Sequence, residues 1–155
     1  MDLLQKFNNL GKNALITGAC GLLGEKHSLA LLETGASVVL TDIDLNLLIK
    51  TKNYLESKNF KGKVICHLMD VSQEVSIINV LEKLKKDNIR IDILINNAAI
   101  NPKQSSLKDN IRTTRLENFS LDVWNLELSV GLTGAFLCSK IFGSAMADDK
   151  KGGVI

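Results

Sequence analysis

Short apolar runs alternate with longer amphipathic stretches along the chain. Four such runs, each bounded by polar residues or glycine, are typical of strands buried on both faces. They are residues 13–17 (NALIT), 37–41 (SVVLT), 63–69 (KVICHLM) and 91–95 (IDILI). Because the stretches between them have helical spacing, the pattern predicts an α/β fold. We expect a mostly parallel sheet, covered by helices on both faces and joined by right-handed crossovers.

Local signals predict the bounds of the helices between these strands. The first helix is predicted over residues 22–34, where Gly35 can end it. Asp44 can cap a second helix that runs to about Lys58, and Ser72 can cap a third. The predicted apolar stripes are Leu45, Leu48 and Leu55 on the second helix, and Val75, Ile78, Leu81 and Leu84 on the third.

The last third of the chain continues the alternation. Residues 101–120 carry the only proline and no regular period, so we expect a long surface loop of the kind that often serves function. Residues 121 to about 146 read as one long helix, and 153–155 (GVI) as the opening of a fifth strand. No repeat or linker divides the chain. Residues 1–155 are therefore predicted to form a single domain whose sheet is incomplete at its C-terminal side.

Composition argues against several classes of function. The net charge of +2 comes from 19 basic and 17 acidic residues spread along the chain, so we expect no nucleic-acid-binding face. The three cysteines are far apart, which argues against a disulfide framework or a metal site and favours a cytoplasmic protein. We see no signal peptide and no window of about 18 apolar residues, so no membrane span is expected.

The turn TGACGLLG joins the first predicted strand to the first helix. Its glycines, Gly18, Gly21 and Gly24, allow another group to approach the backbone closely. The helix that begins here directs free N–H groups and its positive dipole end into the turn, which suits a pyrophosphate. The candidate cofactor contacts in this turn are Gly18, Cys20, Gly21, Leu22 and Leu23.

A carboxylate follows at the end of the second predicted strand. Asp42 lies 18 residues after Gly24, near the spacing expected for a group that binds a ribose 2′-hydroxyl. It would repel a 2′-phosphate, and its neighbour Ile43 supplies no cation, so NAD is favoured over NADP as the cofactor. The alternative is that the glycines only pack and Asp42 only forms a turn. The combination of strand, glycine turn, helix and acid disfavours it.

Three later stretches complete a resemblance to the short-chain dehydrogenase/reductase family. They are LMDVS (68–72), NNAA (96–99) and WNLELSVGLTGAFLCSK (124–140), in the family's order. The resemblance implies a Rossmann-type three-layer sandwich that binds NAD(P). It implies that Asp70 bonds the adenine amino group and Val71 flanks the ring. Asn96 would tether neighbouring strands, with the backbone of Asn97, Ala98 and Ala99 beside the ribose.

Two features depart from the family pattern. The glycine spacing is G-x-x-G-x-x-G, closer to the family's extended branch than to its commoner T-G-x-x-x-G-x-G. Gly131 stands where the family has a catalytic asparagine that helps to hold a water in its proton relay. Together these features are similar to members that act on sugars for surface glycans.

The stretch YLESK contains the family's catalytic spacing, Tyr-x-x-x-Lys, at Tyr54 and Lys58. It falls on the second helix, whereas the family's tyrosine and lysine follow the fifth strand, after a catalytic serine. We therefore interpret it as a chance match and assign no catalytic residue and no metal site within residues 1–155.

We expect these residues to be the inactive NAD-binding portion of an oxidoreductase that oxidises an alcohol or reduces a carbonyl, and that forms homo-oligomers when complete. The alternatives are a non-catalytic NAD-binding sensor or partner subunit, and a purely structural chain.

Overall fold

Four parallel strands form the central sheet. The computed structural model describes residues 7–100 and 115–155. The strands are β1 (Asn13–Thr17), β2 (Ser37–Asp42), β3 (Val64–Leu68) and β4 (Ile93–Ile95), in the order β3-β2-β1-β4. Every pairing within this sheet is parallel. The predicted α/β fold with a parallel sheet is confirmed.

The predicted fifth strand begins beside β4. Val154 forms a parallel bridge with Ile93. Its amide donates to Asp92 O at 3.0 Å, and its carbonyl accepts from the amide of Leu94 at 2.9 Å. This single bridge lies on the side of β4 away from β1, at the residues where a fifth strand was predicted to begin.

Helices cover both faces of the sheet. They are α1 (Leu22–Glu33), α2 (Leu45–Glu56), α3 (Glu74–Lys86), a short 3₁₀ helix (Leu116–Asn118), α4 (Leu121–Leu128) and α5 (Gly134–Asp148). A π-helical turn, Ser129–Thr133, joins α4 to α5. Of the predicted loop 101–120, residues 101–114 lie outside the described part of the chain.

Alternation along the strands produces two cores. On β1, Ala14 and Ile16 face one side and pack with buried residues of α1 and α2, such as Leu32 and Leu48. Leu15 faces the other side, in the core that includes the buried residues of α3 and α5. Since successive strand residues point to opposite faces, one apolar strand supplies both layers of helices.

Two predicted apolar stripes were wrong in part. On α2 the buried residues are Leu48, Thr51 and Leu55, while Leu45 is 53% exposed. The neighbouring exposed apolar residues of α2 make the helix apolar on more than one side, so spacing alone did not select the stripe that faces the sheet.

The third helix differs from its prediction in the same way. Its buried residues are Ile77, Val80 and Leu84, whereas Val75 and Ile78 are 69% and 41% exposed. Its N-cap is Gln73, because the Ser72 hydroxyl donates to Asp70 instead of capping the helix.

The long C-terminal helix occupies the predicted range but contains the π-helical turn. By length and composition, Leu121–Asp148 could cross a membrane, with a window of mean hydropathy 1.4 that is 22% buried, so the expectation that no such window exists was wrong. One such helix is weak support for a span, since core helices have the same composition.

The C-terminal helix packs on the sheet through its second half. Cys138, Phe142 and Met146 pack in the core. Apart from Phe136 at 62%, the large exposed apolar side chains lie in the first half of this helix, among them Trp124 at 51% and Leu132 at 66%. The homo-oligomer stays a prediction.

His67 predicts a dependence of stability on pH. Its Nε2 is buried and has no hydrogen-bond partner in the described part of the chain. Burial, with a contribution from the nearby Lys83, lowers the pKa of His67 below its ordinary value of 6.5, although Asp87 acts in the opposite direction. The unfolded chain then binds the proton more readily than the folded chain. Stability is fully present above about pH 6.5 and is lost as pH falls through the folded-state pKa.

We expect His67→Asn to show a smaller loss of unfolding free energy between pH 7 and 5 than the wild type, measured by urea denaturation at each pH. His27→Asn, on α1, is the matched control and should keep the wild-type dependence. Equal slopes for all three proteins would contradict the assignment.

Candidate functional site

Thr17, the last residue of β1, ties the end of β1 to the chain that follows β4. Its Oγ1 accepts hydrogen bonds from the amides of Asn97 at 2.9 Å and Ala98 at 3.0 Å, and donates to Ile95 O at 3.3 Å. The side chain of Asn97 returns the connection, since its Nδ2 donates to Thr17 O and Gly18 O, both at 3.0 Å. This arrangement fixes the glycine turn relative to the NNAA stretch.

The predicted role of Asn96 was wrong. Its Nδ2 donates to Ser139 Oγ on α5 at 3.0 Å, and the strand tether is Asn97. Consecutive side chains point in opposite directions near a strand end, so only one of the two asparagines can reach β1.

The three glycines of the turn differ in the space that a side chain would have. Gly18 has φ +60°, and a Cβ there would lie 2.8 Å from Ala98 Cα. A Cβ on Gly24 would lie 2.7 Å from Ala19 Cα, so this glycine lets α1 pack closely on the turn. Gly21 is exposed, and a Cβ would meet only Gly18 O at 3.4 Å.

The N-terminus of α1 is open. Gly21 is its N-cap and offers no side chain, and no side chain in the described residues accepts from the amides of its first turn. In contrast, Asp44 caps α2 by accepting from Asn46 N and Leu47 N. The free amides and the positive end of the helix dipole point to the carboxyl edge of the sheet, where they suit a diphosphate.

The carboxylate of Asp42 is held beside this turn. Oδ2 accepts from the amide of Cys20 at 3.1 Å, and Oδ1 accepts from Ile43 N at 2.8 Å. Oδ1 also accepts from Asp44 N at 3.4 Å. A carboxylate has about four acceptor positions, so one remains for a hydroxyl donor. The group is half-buried, which holds it in one position without isolating it from a ligand.

Cys20 acts as a packing residue in this arrangement. Burial raises the pKa of its thiol to about 11, and the charge of Asp42 adds to the rise, while a hydrogen bond with Thr51 opposes it. The thiol is therefore protonated at neutral pH and is a poor nucleophile.

Asp70 and Val71 follow β3 at the same edge. Asp70 Oδ1 accepts from Ser72 N at 2.9 Å and Ser72 Oγ at 2.7 Å. Oδ2 accepts no hydrogen bond from the described residues, so it is available to an amino group. Val71 is 6% exposed and packs against Gly134, where a Cβ would lie 2.7 Å from Val71 Cγ2. Gly134 was not predicted to contact this site, although a glycine within a predicted helix can indicate close packing.

Tyr54 and Lys58, which have the family's catalytic spacing, and Gly131, at the position of the family's asparagine, are not among the residues that contact the glycine turn. Tyr54 is on α2 and 39% exposed, with Lys58 Nζ 4.8 Å from its ring centroid. Gly131 is in the middle of the π-helical turn, and among residues 7–100 and 115–155 nothing outside the helix itself lies within 4 Å of a Cβ built there. π-helical turns are rare and often occur at functional sites.

A groove of about 610 Å³ lies at the opposite edge of the sheet, between α3 and α5, and its lining includes Leu81, Ile89 and Phe142. It is bordered by helix C-termini, where the dipole is negative, so it is unsuited to a diphosphate. The carboxyl edge remains the candidate site.

Comparisons with known proteins agree with this arrangement. Residues 12–155 match the family model for short chain dehydrogenases. A 3-oxoacyl-[acyl-carrier-protein] reductase of Thermotoga maritima is 29% identical over 148 residues, which cover 94% of this chain and 54% of that protein. A crystal structure of a short-chain type dehydrogenase/reductase from Mycobacterium marinum superposes with a TM-score of 0.85 at 27% identity, covering 99% of this chain and 58% of that one. The NAD⁺-bound xylitol dehydrogenase gives 0.79 at 26%, covering 96% and 52%.

The parallel sheet with helices on both faces defines a Rossmann-type α/β fold. The chain belongs to the short-chain dehydrogenase family, whose members are oxidoreductases that bind nicotinamide dinucleotides and small-molecule substrates. It spans about half the length of the curated relatives it matches, from 50% to 54% for the first three.

The close approach of Gly18 to Ala98 predicts a sharp difference between two glycine substitutions. Gly18→Ala should lower the free energy of unfolding by about 1–3 kcal/mol, because it combines a left-handed backbone with a contact against the Ala98 backbone. Gly131→Ala, in open space within a helical segment, should raise it by about 0.5–1 kcal/mol. Urea denaturation measures both changes. Equal effects would show that the turn does not approach Ala98 as described.

Proposed function

We propose that these residues form the cofactor half of the active site of an NAD-dependent oxidoreductase, which passes hydride between the nicotinamide and an alcohol or carbonyl carbon of a small molecule. The observation that carries the proposal is the open N-terminus of α1 beside the Asp42 carboxylate, which Cys20 N holds at 3.1 Å. A diphosphate and a ribose diol need these two kinds of group side by side.

The described residues would hold the dinucleotide along the carboxyl edge. The free amides of Leu22 and Leu23 suit the pyrophosphate, with the backbone of Gly21 beside it, since the Gly21 amide itself donates to Gly18 O. The remaining acceptor position of Asp42 suits a ribose hydroxyl, with Ile43 beside it.

At the neighbouring strand ends, Asp70 Oδ2 can accept from the adenine amino group while Val71 contacts the ring. The backbone of Asn97, Ala98 and Ala99 would line the ribose nearer the nicotinamide. When bound, the nicotinamide ring supplies the hydride acceptor or donor.

Asp42 supports a preference for NAD over NADP. A 2′-phosphate would meet a half-buried carboxylate, and the adjacent residues of the turn, Cys20 and Gly21, are uncharged. Repulsion between the Asp42 carboxylate and a 2′-phosphate, with no cation between them, disfavours the phosphorylated cofactor.

Asp42→Asn should weaken NAD binding by about tenfold to a hundredfold, because hydrogen bonds to a charged acceptor are worth about 1.5–3 kcal/mol. It should also raise the affinity for NADP relative to NAD, since the repulsion is removed. Isothermal titration with each dinucleotide measures both effects.

The matched control is Asp87→Asn, at the exposed C-cap of α3 on the far edge of the sheet. It should leave both affinities unchanged. An unchanged cofactor preference in Asp42→Asn would contradict the role of Asp42. Failure of the wild type to bind either dinucleotide would overturn the proposed function itself.

We further propose that residues 1–155 bind the cofactor without turnover. The single tyrosine lies on the surface of α2, and glycine stands at the position of the family's catalytic asparagine. A polyhydroxylated substrate is a narrower proposal, supported by the 26% identity to a xylitol dehydrogenase. A comparable likeness to a 3-oxoacyl reductase makes thioesters the competing class.

A further inference from the structure

Arg90 lies three residues before β4, at the edge of the sheet opposite the proposed cofactor site. Its guanidinium contacts three residues in two segments, the approach to β4 and the turn after α5. It pairs with Asp92 beside β4, donates from Nε to Asp149 Oδ2 at 3.1 Å beyond the end of α5, and donates from Nη2 to Gly152 O. The Arg90 side chain is 22% exposed, so these contacts are partly protected from solvent.

The turn after α5 determines how the chain approaches β4. After α5, Lys150 and Gly152 both have positive φ, at 55° and 70°, and this turn reverses the chain toward β4. Two backbone hydrogen bonds then pair Val154 with β4, to Asp92 O and from Leu94 N. Arg90 therefore attaches both sides of the turn to the strand that the fifth strand joins.

The fifth strand needs an external constraint on its register. β4 has only three residues, and of the two glycines that begin the incoming segment only Gly153 is closely packed, since a Cβ there would overlap Met146 Sδ. A slip of one residue would reverse the faces of every following side chain. The polar contacts of Arg90 are specific where the backbone pairing is not.

Asp92 makes this anchor firm. Its Oδ2 accepts from the amide of Asn13 at 2.9 Å, while its backbone amide donates to Asn13 O at 2.8 Å. The side chain of Asn13 in turn donates to Arg90 O at 2.8 Å. Arg90 is thus also bonded to the beginning of β1. These additional hydrogen bonds distinguish it from an isolated surface ion pair, which contributes little to stability.

We propose that Arg90 is a positioning residue that sets the register of residues 152–155 against β4, the strand whose carboxyl end leads to Asn97 and Ala98. The link to the reaction rests on the proposed function. The effect on register does not, and the two can be measured separately in the same protein.

The test compares Arg90→Met, Arg90→Lys and the wild type by NMR of the 155-residue chain. Arg90→Met should speed amide exchange at Val154 and Leu94 by at least about tenfold and weaken the cross-strand contact between Ile93 and Val154. Amides of Leu15 and Val39, in the centre of the sheet, should keep their protection. Arg90→Lys, which keeps the charge but not the forked geometry, should give an intermediate rate.

Two further variants distinguish this role from general destabilisation. Lys85→Met removes a cation whose ion pair, among residues 7–100 and 115–155, is with Glu82 on the same helix, and it should leave exchange at Val154 unchanged. Asp149→Asn removes one of the three contacts and should give a smaller increase than Arg90→Met. It also provides a reading if Arg90→Met does not fold.

Unchanged exchange at Val154 in Arg90→Met, or an equal rise at all amides in every variant, would overturn the proposal. NAD affinity is measured alongside and should be unaffected by Arg90→Met. Failure of the wild type to bind NAD would refute the proposed function and leave the result on register intact.

Discussion

The close joining of β1 to the end of β4 is the constraint on which the site depends. The Thr17 hydroxyl accepts from two consecutive amides, and Asn97 donates back to the carbonyls of Thr17 and Gly18. At the same point Gly18 has a backbone conformation and a clearance that leave no room for a Cβ. These contacts fix the direction in which α1 leaves the turn. The open helix terminus and the NNAA backbone thereby face the same space.

The two edges of the sheet have different chemistry. At the carboxyl edge the helices present N-termini, and one of them is uncapped beside the Asp42 carboxylate. At the opposite edge the last turn of α3 carries lysines, and the Arg90 side chain joins the approach to β4 to the turn after α5. A parallel α/β fold produces this polarity because all strands run in one direction. Ligand binding and closure of the sheet are therefore carried by separate residues.

Much of this architecture was predictable because it depends on local signals. Gly35 was expected to end α1, and its φ of +93° shows why glycine is needed there. Asp44 caps α2 as predicted. The strands were recognisable because burial on both faces requires an almost continuous apolar run.

The errors arose where a choice depended on the direction of a side chain in space. Neighbouring asparagines cannot be distinguished by spacing, so the tether was assigned to Asn96 instead of Asn97. An α3 that is apolar on more than one side did not reveal which stripe meets the sheet. The Thr17 hydroxyl bonds to residues 78 to 81 positions away in the sequence, and the Arg90 guanidinium bonds to residues 59 and 62 positions away. No local pattern could indicate contacts over such separations.

The most direct test of the account is a titration of the ¹⁵N-labelled chain with NAD, followed by amide chemical shifts. The account predicts saturable shifts confined to the carboxyl edge. The affected amides should be those of residues 18–24, 42–43, 70–71 and 97–99, with Arg90 and Val154 unmoved. An absence of saturable shifts, or the largest shifts at the groove between α3 and α5, would contradict the claim that the open terminus of α1 and Asp42 form a dinucleotide site.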